Sequence, residues 1–324
     1  MRRSMTTIAL AVLVVAAGAG AGVAAATTEP TEPSAPTGSA EPTDSVAAET
    51  TAAPTDGTAS DVSAAEGTIP DPAECAVGLT LEEGVLTVAT GEPAFEPYVV
   101  GDDPTSGEGF EAAVAYAVAG QMGFDTDAVE WIRTPFEAAI QPGPKDFDFN
   151  LQQFSISPER EEAVTFSLPY YTSTQALIAF EGTPAAGATA LPALQELRIG
   201  VASGTTSLAF VEDVIQPSNT PQVFNDNAAV VQAMTTQQID AIVVDLPTAL
   251  FLTAVEMEGA IVVGQFPALD SAEGEPWGLL FEKDNPLVEC ANYALLNLRQ
   301  SGELDAITTE WMENSTDVPL IDLE

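Results

Sequence analysis

From about Asp71 onward, short apolar runs alternate with longer stretches whose apolar residues recur at helical spacing. That alternation restricts the fold more than any other feature, because strand–helix–strand order favours layered α/β domains built on parallel sheets. Leu86, Val88 and Ala89 predict a strand. Phe110, Ala113, Val114, Ala117, Val118 and Met122 predict an amphipathic helix. A strand at 129–132, a short helix at 135–140 and a long strand over 147–156 follow. A second unit begins with ALIAF at 176–180, with further strands at 197–202, 223–224, 241–244, 261–263 and 278–281. The apolar positions of 287–298 and of 304–311 close the chain as two helices separated by Gly302.

Ahead of this folded part stand two segments of different character. Arg2 and Arg3, an apolar stretch from Ile8 to Ala17 and the small residues Ala24-Ala25-Ala26 read as an export signal cleaved after Ala26. No cysteine follows the apolar stretch, so a lipid anchor is not available there. The uncharged run 6–26 is just long enough to remain as a membrane anchor instead. Residues 27–70 are rich in Thr, Pro, Ala and Glu and hold no basic or aromatic residue, a composition expected to stay disordered as a stalk.

Charge and residue usage narrow the function. The 324 residues carry 49 acids against 8 basic groups. Such a surface repels nucleic acid and anionic lipid, so neither is an expected partner. There is no histidine. Hydrolytic triads that need one are excluded, and the commonest metal ligand is missing. No metal or cofactor is expected. The two cysteines, Cys75 and Cys290, favour one disulfide in an exported chain, the alternative being two unrelated thiols. If they pair, the chain leaves its first domain near 172 and returns after about 270, and two crossings make a hinge.

Three places invite a ligand. Arg160 follows a Ser-x-Ser-Pro turn among Glu159, Glu161 and Glu162, which points either to anion capture or to a solvated arginine paired with a neighbouring glutamate. Ser203-Gly204-Thr205-Thr206-Ser207 lies between a strand and a helix, where free N–H groups can meet an anion or a threonine can simply cap the helix. Asp245 ends an apolar strand before Leu246-Pro247, as a ligand contact or as a helix cap.

Taken together, LTVATGEPAFEPY, GFEAAVAYAVAGQMG, TPFEAAI, FSISPEREEAVTFSLPYY, LRIGVASGTTS, IDAIVVD and GLLFEKDNPLVECANYALLNLRQSGELDAI resemble the family 3 extracellular solute-binding proteins in order and spacing, over roughly residues 79–313. The resemblance implies a type II periplasmic-binding-protein-like α/β fold. It has two lobes, each a mostly parallel sheet flanked by helices, joined by two hinge strands. The expected division is 71–173 plus 271–324 for lobe 1 and 174–270 for lobe 2. It also implies a monomer that binds a polar amino acid and delivers it to an ABC transporter permease. By position, Arg160 would hold the ligand carboxylate, with Thr206 and the Thr205 and Ser207 region adding donors. Asp245, Ser155 and the backbone of Gln153 would take the ammonium, and Phe95 and Phe136 would sandwich the side chain. Glu92 would face that side chain or solvent. The alternatives are a cleft enzyme that dehydrates cyclic acids, or a tethered amino-acid sensor.

Overall fold

In a computed structural model the chain is described over residues 69–268, 274–312 and 318–323. The export signal, the stalk as far as residue 68 and the lobe boundary at 270/271 lie outside the described residues. The first sheet contains β1 (Leu86–Thr90), β2 (Val129–Arg133), β3 (Phe149–Asn150), β4 (Val164–Phe166) and β12 (Leu280–Glu282), in the order β2-β1-β3-β12-β4. The second contains β6 (Gln175–Phe180), β7 (Ile199–Ala202), β8 (Gln222–Phe224), β9 (Ala241–Asp245) and β10 (Ala260–Gln265), in the order β10-β6-β9-β7-β8. Between them β5 (Tyr171–Ser173) and β11 (Glu275–Trp277) form an antiparallel pair.

In each large sheet four of the five strands run in the same direction, as expected of a mostly parallel sheet, and one strand, β12 or β6, runs against them. β1 runs parallel to β2 and β3, and β7 to β8 and β9, but β12 and β6 pair antiparallel with their neighbours. The reason is entry direction. β6 and β12 follow the crossing strands almost at once, so each starts where its neighbours end. Register makes this concrete, because Gln175 at the start of β6 lies opposite Asp245 at the end of β9. The carboxyl ends of the parallel strands therefore face the crossing, the place where open α/β sheets bind ligands.

Each sheet is buried on both faces, and successive side chains divide between them. Leu86 and Val88 pack with Phe110, Val114 and Leu298, while Ala89 packs with Phe147, Phe154 and Val164 on the opposite face. Leu177 and Val243 face one core of the second sheet, and Ile178 and Ile242 the other. Burying each such large side chain contributes roughly 1.5–3 kcal/mol. The helix Phe110–Gln121 is less amphipathic than its spacing predicts. Ala112, Ala115 and Ala119 are buried along with Val114 and Val118, because the helix is enclosed by neighbours on more than one side.

Two further expectations are corrected. The strand expected over 147–156 survives only as Phe149–Asn150. At Gln153 the backbone turns to a φ of +51°, and the chain then pairs with β11 through Ile156 N to Pro276 O at 2.8 Å and Gly278 N to Phe154 O at 3.1 Å. The tail 318–323, expected in lobe 1, packs on lobe 2. Leu320 bridges Gln265, Asp322 bridges Ala190, and Ile321 is buried in the second lobe's core. Gly264 admits it, since a Cβ there would stand 2.7 Å from Ile321 Cγ1. The cysteines do pair. Cys75, on the helix Pro72–Ala76, is bonded to Cys290 on Leu287–Ser301 within lobe 1.

Candidate functional site

The single-turn helix Pro158–Glu161 carries Arg160. Ser157 caps it by accepting from Arg160 N, and Pro158 sits where its missing N–H costs nothing. One turn is enough to send Glu159, Glu161 and Glu162 outward and Arg160 inward, to 9 % exposure. The guanidinium donates to Ser155 O at 2.8 Å and to Gly204 O, in the other lobe, at 3.0 Å. It also lies 5.4 Å from the centre of the Phe136 ring, which is stacked on Phe154. Among the described residues no carboxylate lies at ion-pair distance from Arg160, whereas Arg133 and Arg198 pair with Asp102 and Asp240. The reading of Arg160 as a solvated, glutamate-paired arginine is therefore wrong. Burial draws its pKa below the ordinary value, against the pull of Asp245, Glu275 and Glu159.

Across the cleft, Asp245 occupies the N-cap position of the helix Leu246–Phe251 but does not cap it. Its carboxylate instead accepts from Gln175 Nε2 at 3.1 Å. Burial first, and then the neighbouring Glu275, push the Asp245 carboxyl up to about 8, with Arg160 and Gln175 opposing.

All nine residues assigned from sequence line one cavity between the lobes: Glu92, Phe95, Phe136, Gln153, Ser155, Arg160, Thr205, Thr206 and Asp245. Their side chains are not equally available. Thr205 is the N-cap of the helix Thr206–Phe210, so its hydroxyl is occupied in accepting from Leu208 N and donating to Ala202 O. Glu92 lines the cavity at an exposed position. Gln153 is fixed from below by the buried Glu111, whose carboxylate accepts from Gln153 N at 2.7 Å, from Gln153 Nε2 and from the Tyr170 hydroxyl. Burial raises Glu111 to about 7 against these bonds.

Three contributors escaped the sequence reading. Gln175 bridges the two acids Asp245 and Glu275, but only the β6–β9 register brings it beside Asp245. Glu275 stands in a stretch that reads as flexible from its Gly, Pro and Glu content. Tyr98, at the end of the loop after β1, joins its hydroxyl to Thr248 of the other lobe at 2.8 Å. A tyrosine near that loop carries no signal that it reaches across the cleft.

A sequence profile of the bacterial extracellular solute-binding proteins, family 3, matches residues 86–314. The chain is 28 % identical over 242 residues to a probable amino-acid ABC transporter periplasmic-binding protein of Sinorhizobium fredii, covering 71 % of this chain and 79 % of that one. It is 27 % identical over 223 residues to an arginine-binding periplasmic protein of Mannheimia haemolytica, covering 68 % and 89 %. Among solved structures, an ancestral arginine-binding protein bound to glutamine matches with a TM-score of 0.61 at 28 % identity, covering 72 % of this chain and all of that one.

Proposed function

The chain belongs to the bacterial extracellular solute-binding proteins, family 3, and from that premise we propose that it captures a polar amino acid between its lobes and delivers it to the permease of an ABC transporter. The observation that carries this reading is the buried Arg160, a cation with no carboxylate partner among the described residues, lining the same cavity as Asp245. A zwitterion needs one fixed charge of each sign. Arg160 offers a planar fork for the α-carboxylate, and Asp245 with Ser155 receives the α-ammonium. Phe95 and Phe136 enclose the side chain, and Glu92 meets its far end.

The two charges come from different lobes, so ligand favours the closed arrangement over any open one. Binding rather than turnover fits a cavity without histidine and with both charges matched to an amino acid. The amino-terminal 26 residues serve export, with cleavage after Ala26, which leaves residues 27–70 as an acidic amino-terminal spacer. The protein acts as a monomer. A thermal-shift screen of the mature protein tests the reading, using the twenty amino acids, ornithine, citrulline, prephenate and arogenate. Amino acids that bind the folded state raise the melting temperature. A rise with the cyclic acids alone, and with no amino acid, overturns this reading in favour of a dehydratase.

A further inference from the structure

One carboxylate beside the cleft has no part in the zwitterion scheme. Glu275 opens β11, on the crossing strands. Its Oε2 accepts from the hydroxyls of Thr206 at 2.7 Å and Ser155 at 3.0 Å, and its Oε1 accepts from Gln175 Nε2 at 3.0 Å. The second hydrogen of Gln175 Nε2 goes to Asp245 Oδ1, and Gln175 Oε1 accepts from Ser207 Oγ at 2.7 Å. With Asp245 and Glu275 both ionised, as the ammonium requires, only the NH2 of this amide can face them, which fixes its orientation.

The same proton count governs the hydroxyls. A carboxylate only accepts, and a hydroxyl has one proton to give. Ser155 and Thr206 both line the cavity, and their oxygens lie 3.3 Å apart. With each proton directed to Glu275, each oxygen turns lone pairs toward the cavity. Two hydroxyls that in general could bind either end of an amino acid are thereby restricted to accepting.

We propose that Glu275 is the positioning residue that makes this end of the cleft an acceptor-only subsite of Asp245, Ser155 and Thr206, selective for a primary ammonium. The proposal rests on the amino-acid reading and changes one assignment within it. Thr206 hydroxyl serves the ammonium end, and the carboxylate is left to Arg160 and backbone N–H groups. An ammonium supplies three donors to three acceptors, whereas a hydroxyl in its place supplies one.

The rival role for Glu275 is a plain latch, since Ser155 and Thr206 belong to different lobes. Calorimetric titration of wild type, Glu275→Gln and Thr206→Val with the twenty L-amino acids and their matching 2-hydroxy acids separates the two. The wild type is expected to prefer an amino acid over its hydroxy acid by about 100-fold, the loss of charge-assisted bonds to a buried acceptor set. In Glu275→Gln the amide can donate to one hydroxyl and free its proton, so that preference shrinks at least tenfold. Thr206→Val shrinks it by roughly threefold to tenfold through one lost acceptor. Circular dichroism checks folding, and Thr206→Val carries the test alone if Glu275→Gln does not fold. Equal weakening of both ligand types, with the preference kept, overturns the proposal and leaves a latch. A wild type that binds none of the amino acids overturns the amino-acid reading itself.

Discussion

Arg160 is held by two carbonyl oxygens and has no carboxylate at ion-pair distance among the described residues, whereas Asp245 is held by one amide whose other hydrogen serves a second carboxylate, Glu275. The carbonyls orient the guanidinium without cancelling its charge. At the far end burial, and after it the neighbouring Glu275, pushes the Asp245 carboxyl up to about 8. Each end is thus short of the charge that the other end of a zwitterion carries. Burying charge without a partner is costly. The contrast teaches that the cleft is arranged for a guest rather than for its own stability.

The largest expected effect comes from breaking the cationic end. Two charge-assisted bonds at roughly 1.5–3 kcal/mol each put the loss for Arg160→Ala at about 10²–10⁴-fold in affinity. Arg160→Lys keeps the charge but loses the fork, and a loss of about 10–100-fold is expected. Arg160→Ala should not lower the melting temperature of the ligand-free protein, because the buried cation it removes has no carboxylate partner among the described residues. Arg198 supplies the control. It is exposed and bidentate on Asp240, so Arg198→Ala should leave binding unchanged. Calorimetry that finds Arg198→Ala as damaging as Arg160→Ala breaks the comparison.

Next in size is the anionic end. Asp245→Asn keeps the shape but loses the charge for the ammonium, and about a 100-fold weakening is expected, from one charged bond and the field behind it. A loss equal to that of Arg160→Ala would mean that the two ends bind as a unit rather than as two contacts.

Much of this arrangement was legible in the sequence because it is local. The single-turn helix at Arg160 follows from Ser157-Pro158, and the apolar run 241–244 places Asp245 at a strand end. The alternating strands and helices follow from periodicity, and the two lobes from the family resemblance. What stayed hidden depends on register between distant segments. Gln175 gains its role from standing opposite Asp245, 70 residues away. Glu275 gains its role from hydroxyls 120 and 69 residues away. The strand expected over 147–156 failed for the same reason. Its apolar residues satisfy a strand pattern, but a buried Glu111 far upstream takes the Gln153 N–H and β11 takes the chain beyond it. The tail misled because its apolar residues suit either lobe, and only the space beside Gly264 decides between them.

The unequal ends also predict a pH dependence. In the free protein Asp245 titrates near 8, while the ammonium requires it ionised. Ligand therefore binds the deprotonated form, and affinity should weaken as pH falls below about 8, by up to tenfold per unit. Below pH 8 binding releases a proton, which titrations in buffers of different ionisation enthalpy detect. Asp245→Asn should abolish the slope. Stability runs in a related direction. Asp245 and Glu111 both have raised folded-state values, so the stability they give is complete below about pH 4 and is lost as pH rises through about 7 and 8. Glu111→Gln should roughly halve the slope of that decline between about pH 4 and pH 7, leaving the Asp245 share, without removing the pH dependence of binding. If it removes both, the assignment to separate groups is wrong.

The smallest effect tests whether charge or lobe contact dominates the cleft. Tyr98 is buried and joins its hydroxyl to Thr248 across the lobes. Tyr98→Phe removes one neutral hydrogen bond worth about 1 kcal/mol and nothing charged, so affinity should fall only about threefold to tenfold. The loss should lie in the dissociation rate, because the bond forms only when the lobes meet. It should fall similarly on every ligand, because the bond removed joins two protein groups, Tyr98 and Thr248. Stopped-flow rates for Tyr98→Phe beside Arg160→Lys decide the point. If the tyrosine variant loses as much as the arginine variant, closure is governed by the lobes' own contacts. If it loses a small, ligand-independent fraction, the two unequal ends of the cleft govern both affinity and closure.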